Sequence, residues 1–103
     1  MRVSPPLWLN PPEAMWVPCT IQRRIEPKGY LVQLDLDGEQ RSIVVPEDAV
    51  QEGSDSFPAE DNLLVVVVAE LPGDDKRLLT ELPATPLSGS QRIKVNRQRL
   101  QPA

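Results

Sequence analysis

The sequence predicts an all-β fold: a small antiparallel barrel of about five to six short strands, preceded by an extended N-terminal arm. Three observations favour it. Proline occupies 12 of the 103 positions, and proline interrupts helices and cannot donate to the interior of a sheet. Apolar and polar residues alternate along several segments, as in strands with one buried face. Turn-forming residues separate these segments at short intervals.

The chain is expected to form one domain with an arm in front of it. Residues 1–14 contain four prolines and are expected to form the arm, and residues 15–101 the barrel, because this length leaves no room for a second independent core. The arm carries two apolar anchors, Leu7 and Trp8. It either packs over an exposed end of the core or offers a polyproline-type segment to the aromatic groove of another protein.

The first three strands follow the arm. The first alternates, with Val17, Cys19 and Ile21 predicted to face inward. The turn "EPKG" precedes "YLVQLDL", whose apolar alternation falls on the even-numbered residues. The pair Asp37-Gly38 then predicts a hairpin that leads into "EQRSIVV". "PEDAV" is expected to form a turn or a single helical turn.

The second half of the barrel begins after a polar loop at 51–62, in which Phe57 is the one expected anchor. "LLVVVVAEL" predicts a strand buried on both faces, because its β-branched residues run without alternation. "KRLLTEL" is expected to pair back with it across the turn "PGDD". "RIKVNRQRL" is expected to close the chain as a strand, with Ile93 and Val95 inward.

Charge is unevenly distributed along the chain. The net charge is -4, from 15 acidic and 11 basic residues. Acids dominate from Asp35 to Glu81, whereas the segment from Leu82 onward has four cations and no acid. This segment is either a solvated basic tail or a contact for an anionic partner. The overall acidity argues against general affinity for a phosphate backbone.

The residue types that most catalytic and metal sites need are scarce. There is no histidine, so the usual general base, the nucleophilic triads and most zinc sites are missing. Cys19 is the only cysteine and is expected to be a small core residue. The five glycines lie far apart, so there is no phosphate-binding loop. We therefore expect no enzyme activity, no cofactor and no metal, and we interpret the acids near Asp37 and Asp74 as solvated turn residues.

The sequence also bears on the compartment. Prolines interrupt the N-terminal residues, which lack the apolar run of a signal peptide. The longest apolar run, "LLVVVVA", is far shorter than the roughly 20 residues that span a bilayer. A single cysteine suits a reducing compartment. We expect a soluble, cytoplasmic protein without a membrane association.

The stretch from Trp16 to Gln51 resembles small SH3-like barrels of the Tudor and myosin N-terminal kind. It begins with "WVP", continues with a glycine-led strand and "DG", and ends in an acidic one-turn segment. "WVPCTI" and "VNRQRLQP" are also similar to strands in the C-terminal domains of retroelement integrases. The resemblance implies an SH3-like barrel that recognises other molecules. Residues 52–89 have no counterpart in a minimal barrel, and four aromatic residues do not suffice for a methyl-lysine cage.

Two functions remain. The first is a non-catalytic protein–protein interaction or assembly module, in which Trp8, Trp16 and Tyr30 are the expected partner-binding residues. Each of the three could instead be a core residue. A structural role in a larger assembly shares these features. The alternative is a nucleic-acid-binding domain that uses a basic stripe on the first and last strands, if these are neighbours. Its residues would be Arg23, Arg24, Lys28, Arg92, Lys94, Arg97 and Arg99.

Overall fold

The computed structural model describes residues 5–36, 38–87 and 89–103, and these residues form one antiparallel sheet. Its strands are β1 (Leu7–Ile25), β2 (Gly29–Leu36), β3 (Glu39–Pro46), β4 (Ala59–Glu70), β5 (Arg77–Glu81), β6 (Arg92–Asn96) and β7 (Gln101–Pro102). Two 3-10 turns, Glu47–Ala49 and Arg97–Arg99, are the only helical segments in the described ranges. The all-β prediction is confirmed, with seven strands where five to six were expected.

The sheet is strongly curled into a half-barrel. Its strand order is β3-β2-β1-β4-β5-β6, and β7 pairs with β1. The outermost strands, β3 and β6, are therefore the two edges of the sheet. The last strand returns to the first, because the Met15–Trp16 segment of β1 pairs with Gln101 and Pro102.

The long first strand organises the sheet. β1 has 19 residues; its C-terminal part pairs with β2, and most of its length pairs with β4. Residues 7–14, which we expected in the arm, lie within this strand, and residues 1–4 of the arm lie outside the described ranges. The pairing with β4 shifts register between Trp8 and Glu13, and residues 9–12 have no partner in β4. Pro11 and Pro12, which have no backbone N–H to donate, therefore lie where β1 makes no hydrogen bonds to β4.

The core lies on the inner side of the curled sheet. The predicted inward residues of the first two strands are buried, and the third strand alternates as expected. β1 contributes Val17, Cys19 and Ile21; β2 contributes Tyr30, Val32 and Leu34; β3 contributes Ile43 and Val45. Gly38 adopts φ 92 in the β2–β3 turn, and Asp37, the other residue of the predicted hairpin pair, lies outside the described ranges.

The prediction that β4 is buried on both faces is wrong for its first half. Leu63, Val65 and Val67 are buried, whereas Leu64 is half-buried and Val66 is 37% exposed. The strand alternates there, so its outward side is only partly covered. Consecutive residues are buried only at Val67, Val68 and Ala69, where the pairing with β5 shifts register.

The polar loop is shorter than expected, because β4 begins at Ala59. The Asp61 carboxylate fixes its start by accepting hydrogen bonds from the backbone N–H of Glu52 and of Gly53. Phe57 packs against the core, with its ring centroid 6.2 Å from that of Tyr30. In the described part of the chain, no helix is both long and apolar enough to cross a membrane.

Candidate binding surfaces

The three aromatic residues expected to bind a partner occupy different environments. Trp8 is 57% exposed, Trp16 is half-buried, and Tyr30 is 4% exposed. The structure does not bring the three rings together. Tyr30 belongs to the core, whereas Trp8 and Trp16 reach the surface.

Tyr30 has the contacts of a core residue with a polar end. Its hydroxyl accepts a hydrogen bond from the backbone N–H of Ser54 at 3.3 Å, and from Nη2 of Arg24 at 3.2 Å. The Arg24 guanidinium also lies 5.0 Å over the ring. Because both the ring and the hydroxyl have partners within the chain, Tyr30 does not present an aromatic face to another molecule. The structure therefore places Tyr30 in the core, and its contact with a partner stays a prediction.

Trp16 lies on the outward side of the sheet, among other apolar residues. The β1–β4 register sets Trp16 opposite Leu64, and Ala14 opposite Val66. Residues opposite one another on antiparallel strands share a face of the sheet. We call this group, together with the neighbouring Pro12, the outer apolar face.

A groove of about 370 Å³ lies along this face. Pro12, Leu64 and Val66 line it, together with Leu82 and Pro83 from the segment after β5. Pro12 borders the groove because residues 9–12 fall at the register shift of β1 and are not paired with β4. The groove is an apolar depression in the outward surface of the sheet.

Further along the same side, the sheet surface is polar. Gln22 donates to Gln33 at 2.7 Å, and Gln33 donates to Gln40 at 2.8 Å, so that amides form a ladder across β1, β2 and β3. Thr20 lies next to this ladder, opposite Gln33. The outward surface also has a separate apolar pair, Leu31 of β2 opposite Val44 of β3, which is 40% exposed and lies on the far side of the ladder from Trp16.

Two charged residues, Arg92 and Glu81, connect Trp8 with the outer apolar face. The Arg92 guanidinium lies 5.2 Å from the centroid of the Trp8 ring. Nε of Arg92 donates to the Glu81 carboxylate at 3.2 Å. Glu81 is the cross-strand neighbour of Val66 and lines the groove. The exposed ring of Trp8 thus continues the surface beyond the groove.

The cations do not form the single stripe that nucleic-acid binding was expected to require. Through the register of β4 and β5, Arg92 is level with Ala14 of β1. Arg23 lies nine residues further along β1, which corresponds to about 30 Å of strand. The neighbour of β1 at the chain end is β7, which has no cation. Arg92 and Arg23 therefore lie far apart along the sheet, whereas Arg99 lies beside Thr20 and Asp35.

Several of these cations also have partners within the chain. Arg24 pairs with Glu47 and Asp55, Arg92 pairs with Glu81, Arg97 donates to the Asp75 carbonyl and Arg99 donates to the Asp35 carbonyl. Within the described residues, Arg23, Lys28 and Lys94 make no ion pair of their own.

Cys19 is packed in the core. Burial, reinforced by the nearby negative charge of Asp61, raises the pKa of the thiol to about 12. A thiol with this pKa is protonated near neutral pH and is a poor nucleophile. In the described ranges, no group of three or more histidine, cysteine, aspartate or glutamate residues is placed to hold a metal ion.

Sequence reasoning identified Trp16 but missed the residues around it. Leu64 and Val66 belong to an unbroken run of apolar residues, and such a run does not indicate which side chains face inward and which face outward. The outward parity of Trp16 was readable, but its β4 neighbours depend on the strand order. Comparison with protein-family models, with curated proteins and with solved structures found no match.

Proposed function

We propose that this protein is a non-catalytic protein–protein interaction module that binds its partner through the outer apolar face. The observation that supports the proposal is the pair of apolar cross-strand contacts, Trp16 with Leu64 and Ala14 with Val66, on the outward side of the sheet. An antiparallel sheet with one buried face normally has polar residues on the other. A localised apolar patch is typical of a binding surface.

The composition of the patch suits a protein partner. Tryptophan is enriched among the residues that dominate binding free energy, especially where it lies in the centre of an interface. The groove beside Val66 can accept an apolar side chain of the partner, and Trp8 supplies further aromatic surface with Arg92 stacked on it. Charged residues such as Glu81 and Arg92 surround the patch as a polar rim.

We further propose that the fold is an SH3-like barrel. The proposal is supported by the strong curl of the antiparallel sheet and by the pairing of the last strand, β7, with the first. The resemblance of the stretch from Trp16 to Gln51 supports it independently. In this interpretation the barrel is the scaffold, and the outward residues of β1 and β4 determine what it binds.

Affinity capture with matched variants tests the interaction. The wild-type protein, Val66→Ser, Trp16→Ser and Gln22→Ala are each immobilised and exposed to an extract of the source cells. A partner of the outer apolar face is retained by the wild type and by Gln22→Ala, which changes the polar part of the same surface. It is lost from both Val66→Ser and Trp16→Ser.

The captured protein is then titrated against the purified chain by calorimetry. Burial of apolar surface gives a negative heat-capacity change, and Val66→Ser should reduce it. Circular dichroism shows whether each variant retains the wild-type fold. Retention of the same proteins by all four immobilised chains, or of none by the wild type, would contradict the proposed function.

A further inference from the structure

The two edges of the half-barrel border a groove that the outer apolar face does not include. Leu36, Glu39 and Arg41, around the β2–β3 turn, line one side of it. Arg92, Ile93 and Lys94 of β6 line the other. We call this depression of about 430 Å³ the edge groove.

The backbone of β6 has unused hydrogen-bonding groups on the side away from β5. At one end of the strand the Gln91 carbonyl accepts from Leu82 N–H, and at the other end Arg97 N–H donates to the Lys76 carbonyl. The bonded residues on this side, Gln91 and Arg97, are both odd-numbered. The odd-numbered residues of β6 between them therefore also direct their backbone N–H and C=O groups toward β5. In an antiparallel pair the alternate residues then direct theirs outward. These outward residues are Arg92, Lys94 and Asn96.

Lys94 provides the central groups of this open edge. No backbone partner within the described residues occupies its outward N–H or carbonyl. Arg92 N–H is already used locally, because it donates to Oγ of Ser90 at 3.2 Å. A row of free donors and acceptors of this kind is a template for another strand.

The opposite edge, β3, is partly covered. Leu87 N–H donates to the Ser42 carbonyl at 2.9 Å, so the segment between β5 and β6 lies along this edge. In the same segment, a Cβ on Gly89 would lie only 2.8 Å from Nε of Arg41. An incoming strand therefore has freer access to β6 than to β3.

The edge groove is lined with positive charge in an otherwise acidic protein. Four cations, Arg41, Arg77, Arg92 and Lys94, line it, against the single acid Glu39. The three arginines each have a carboxylate neighbour, but every partner in these ion pairs is at least a quarter exposed, so the pairs contribute little to stability. Lys94 has no ion pair within the described residues. Nε of Arg41 is inaccessible to solvent and has no acceptor among residues 5–36, 38–87 and 89–103.

We propose that the edge groove binds an extended acidic segment of a partner protein, which adds to the sheet as a strand beside β6. The open backbone edge supplies the main-chain hydrogen bonds of such a complex. The cations select acidic side chains on the segment, while Leu36 and Ile93 contact its apolar ones. This inference rests on the proposed function for protein recognition but uses a second surface, in which Arg92 is shared with the rim of the outer apolar face.

Labelled peptides test the inference by fluorescence anisotropy at low salt. The probe is a peptide of about eight residues in which glutamate alternates with valine or threonine. A second peptide has lysine in place of glutamate, and a third is the acidic peptide with alternate backbone nitrogens methylated. We expect only the first to bind, and its affinity to fall as the ionic strength rises from about 50 to about 200 mM.

Variants of Lys94 separate the charge from the backbone. Lys94→Glu should weaken binding about tenfold, and Lys28→Glu, the same charge change in the β1–β2 turn, should leave it unchanged. Lys94→Pro removes an N–H that does not pair with β5, so the strand should persist while the peptide binds at least about tenfold more weakly. The N-methylated peptide tests the same hydrogen bonds in the wild-type protein if Lys94→Pro does not fold.

Several outcomes would overturn the inference. Failure of the acidic peptide to bind the wild type is one, and equal binding of the basic or the N-methylated peptide is another. An acidic peptide that binds Lys94→Glu as it binds the wild type contradicts the position of the site, as does one that is lost from Val66→Ser. Since Val66→Ser alters only the outer apolar face, failure of the peptide tests leaves the capture experiment above unaffected.

Discussion

The hydroxyl of Tyr30 lies 3.2 Å from Nη2 of Arg24, and the same guanidinium lies 5.0 Å over the centroid of the Tyr30 ring. This pair links β1 to the start of β2. The hydroxyl extends the link to the polar loop, because it accepts a hydrogen bond from Ser54 N–H and lies 3.4 Å from the Ser54 carbonyl. A buried aromatic residue thus fixes a segment whose sequence is typical of a mobile loop.

Replacing Tyr30 with phenylalanine tests how much the hydroxyl contributes. The ring still fills the core and contacts Arg24, but Ser54 N–H loses its acceptor. We expect the free energy of unfolding to fall by about 1 kcal/mol, the usual contribution of such a hydrogen bond. Urea denaturation measures this change. Hydrogen exchange by local opening should become faster at Ser54, whereas the core amides of β5 should change only as much as the global stability does. Equal exchange at Ser54 in both proteins would contradict the role of the hydroxyl.

Gly53 is constrained both by its backbone and by Tyr30. Its φ is +79, and a Cβ there would lie 2.9 Å from the Tyr30 hydroxyl oxygen. Gly73 has a similar φ of +83 but no atom within 4 Å of its Cβ position. Gly73→Ala should therefore cost about 1 kcal/mol from backbone strain alone, and Gly53→Ala should cost more.

A double-mutant cycle isolates the steric part. Without the hydroxyl oxygen, the nearest remaining atom is Cζ of residue 30, at 3.8 Å, which is an ordinary contact. Gly53→Ala in the Tyr30→Phe background should therefore cost about as much as Gly73→Ala in the wild type. If the excess cost of Gly53→Ala persists in that background, the close approach to the hydroxyl does not explain it.

Cys19 makes stability depend on pH in the alkaline range. Burial raises the pKa of its thiol from 9.0 to about 12 in the folded protein. Between these values the unfolded chain loses a proton that the folded chain retains, so the free energy of unfolding should fall as pH rises. Well below pH 9.0 the thiol is protonated in both states and contributes no slope. Urea denaturation from pH 8 to 11 measures the trend, with Cys19→Ala as the control that lacks it.

Thiol reactivity gives an independent check of the same burial. At pH 8 an aromatic disulfide reagent should react with Cys19 only after the chain is unfolded in urea. Rapid reaction in the native protein would show that the thiol is accessible and that its pKa is not raised. A Cys19→Ala stability curve with the same alkaline slope as the wild type would lead to the same conclusion.

The sequence was sufficient where one strand alone determines which side chains face inward. Val17, Cys19 and Ile21 alternate with polar residues, and the period of two fixes their side of the sheet whatever the neighbouring strands are. The turn at Gly38 is similarly local. These features predicted the fold class and most of the core.

The sequence was insufficient where the outcome depends on neighbours. Whether Arg23 lies near Arg92 depends on the strand order, which alternation does not reveal. The edge groove arises because β3 and β6 are the outermost strands, and no local pattern marks an edge. Tyr30 illustrates the same limit. An aromatic residue at an inward position is a core residue if other parts of the chain cover it and can bind a partner if they do not, and the sequence does not show which applies.

Val65 and Val66 provide the sharpest test of the two sides of β4. They are adjacent, identical and β-branched, yet Val65 is 1% exposed and Val66 is 37% exposed. Replacement by alanine removes the same two methyl groups and lowers the β-propensity by a similar amount at both positions. The difference in unfolding free energy between the two variants therefore reports the packing of the side chains. Val65→Ala should cost about 2 kcal/mol of unfolding free energy, whereas Val66→Ala should cost about 0.5 kcal/mol.

Equal losses in urea denaturation would mean that the outward side of β4 is also covered in solution. If the loss at Val66 depends on protein concentration, a second copy of the chain covers it. A small loss at Val66 leaves this side chain free to contact a partner, as the proposed function requires.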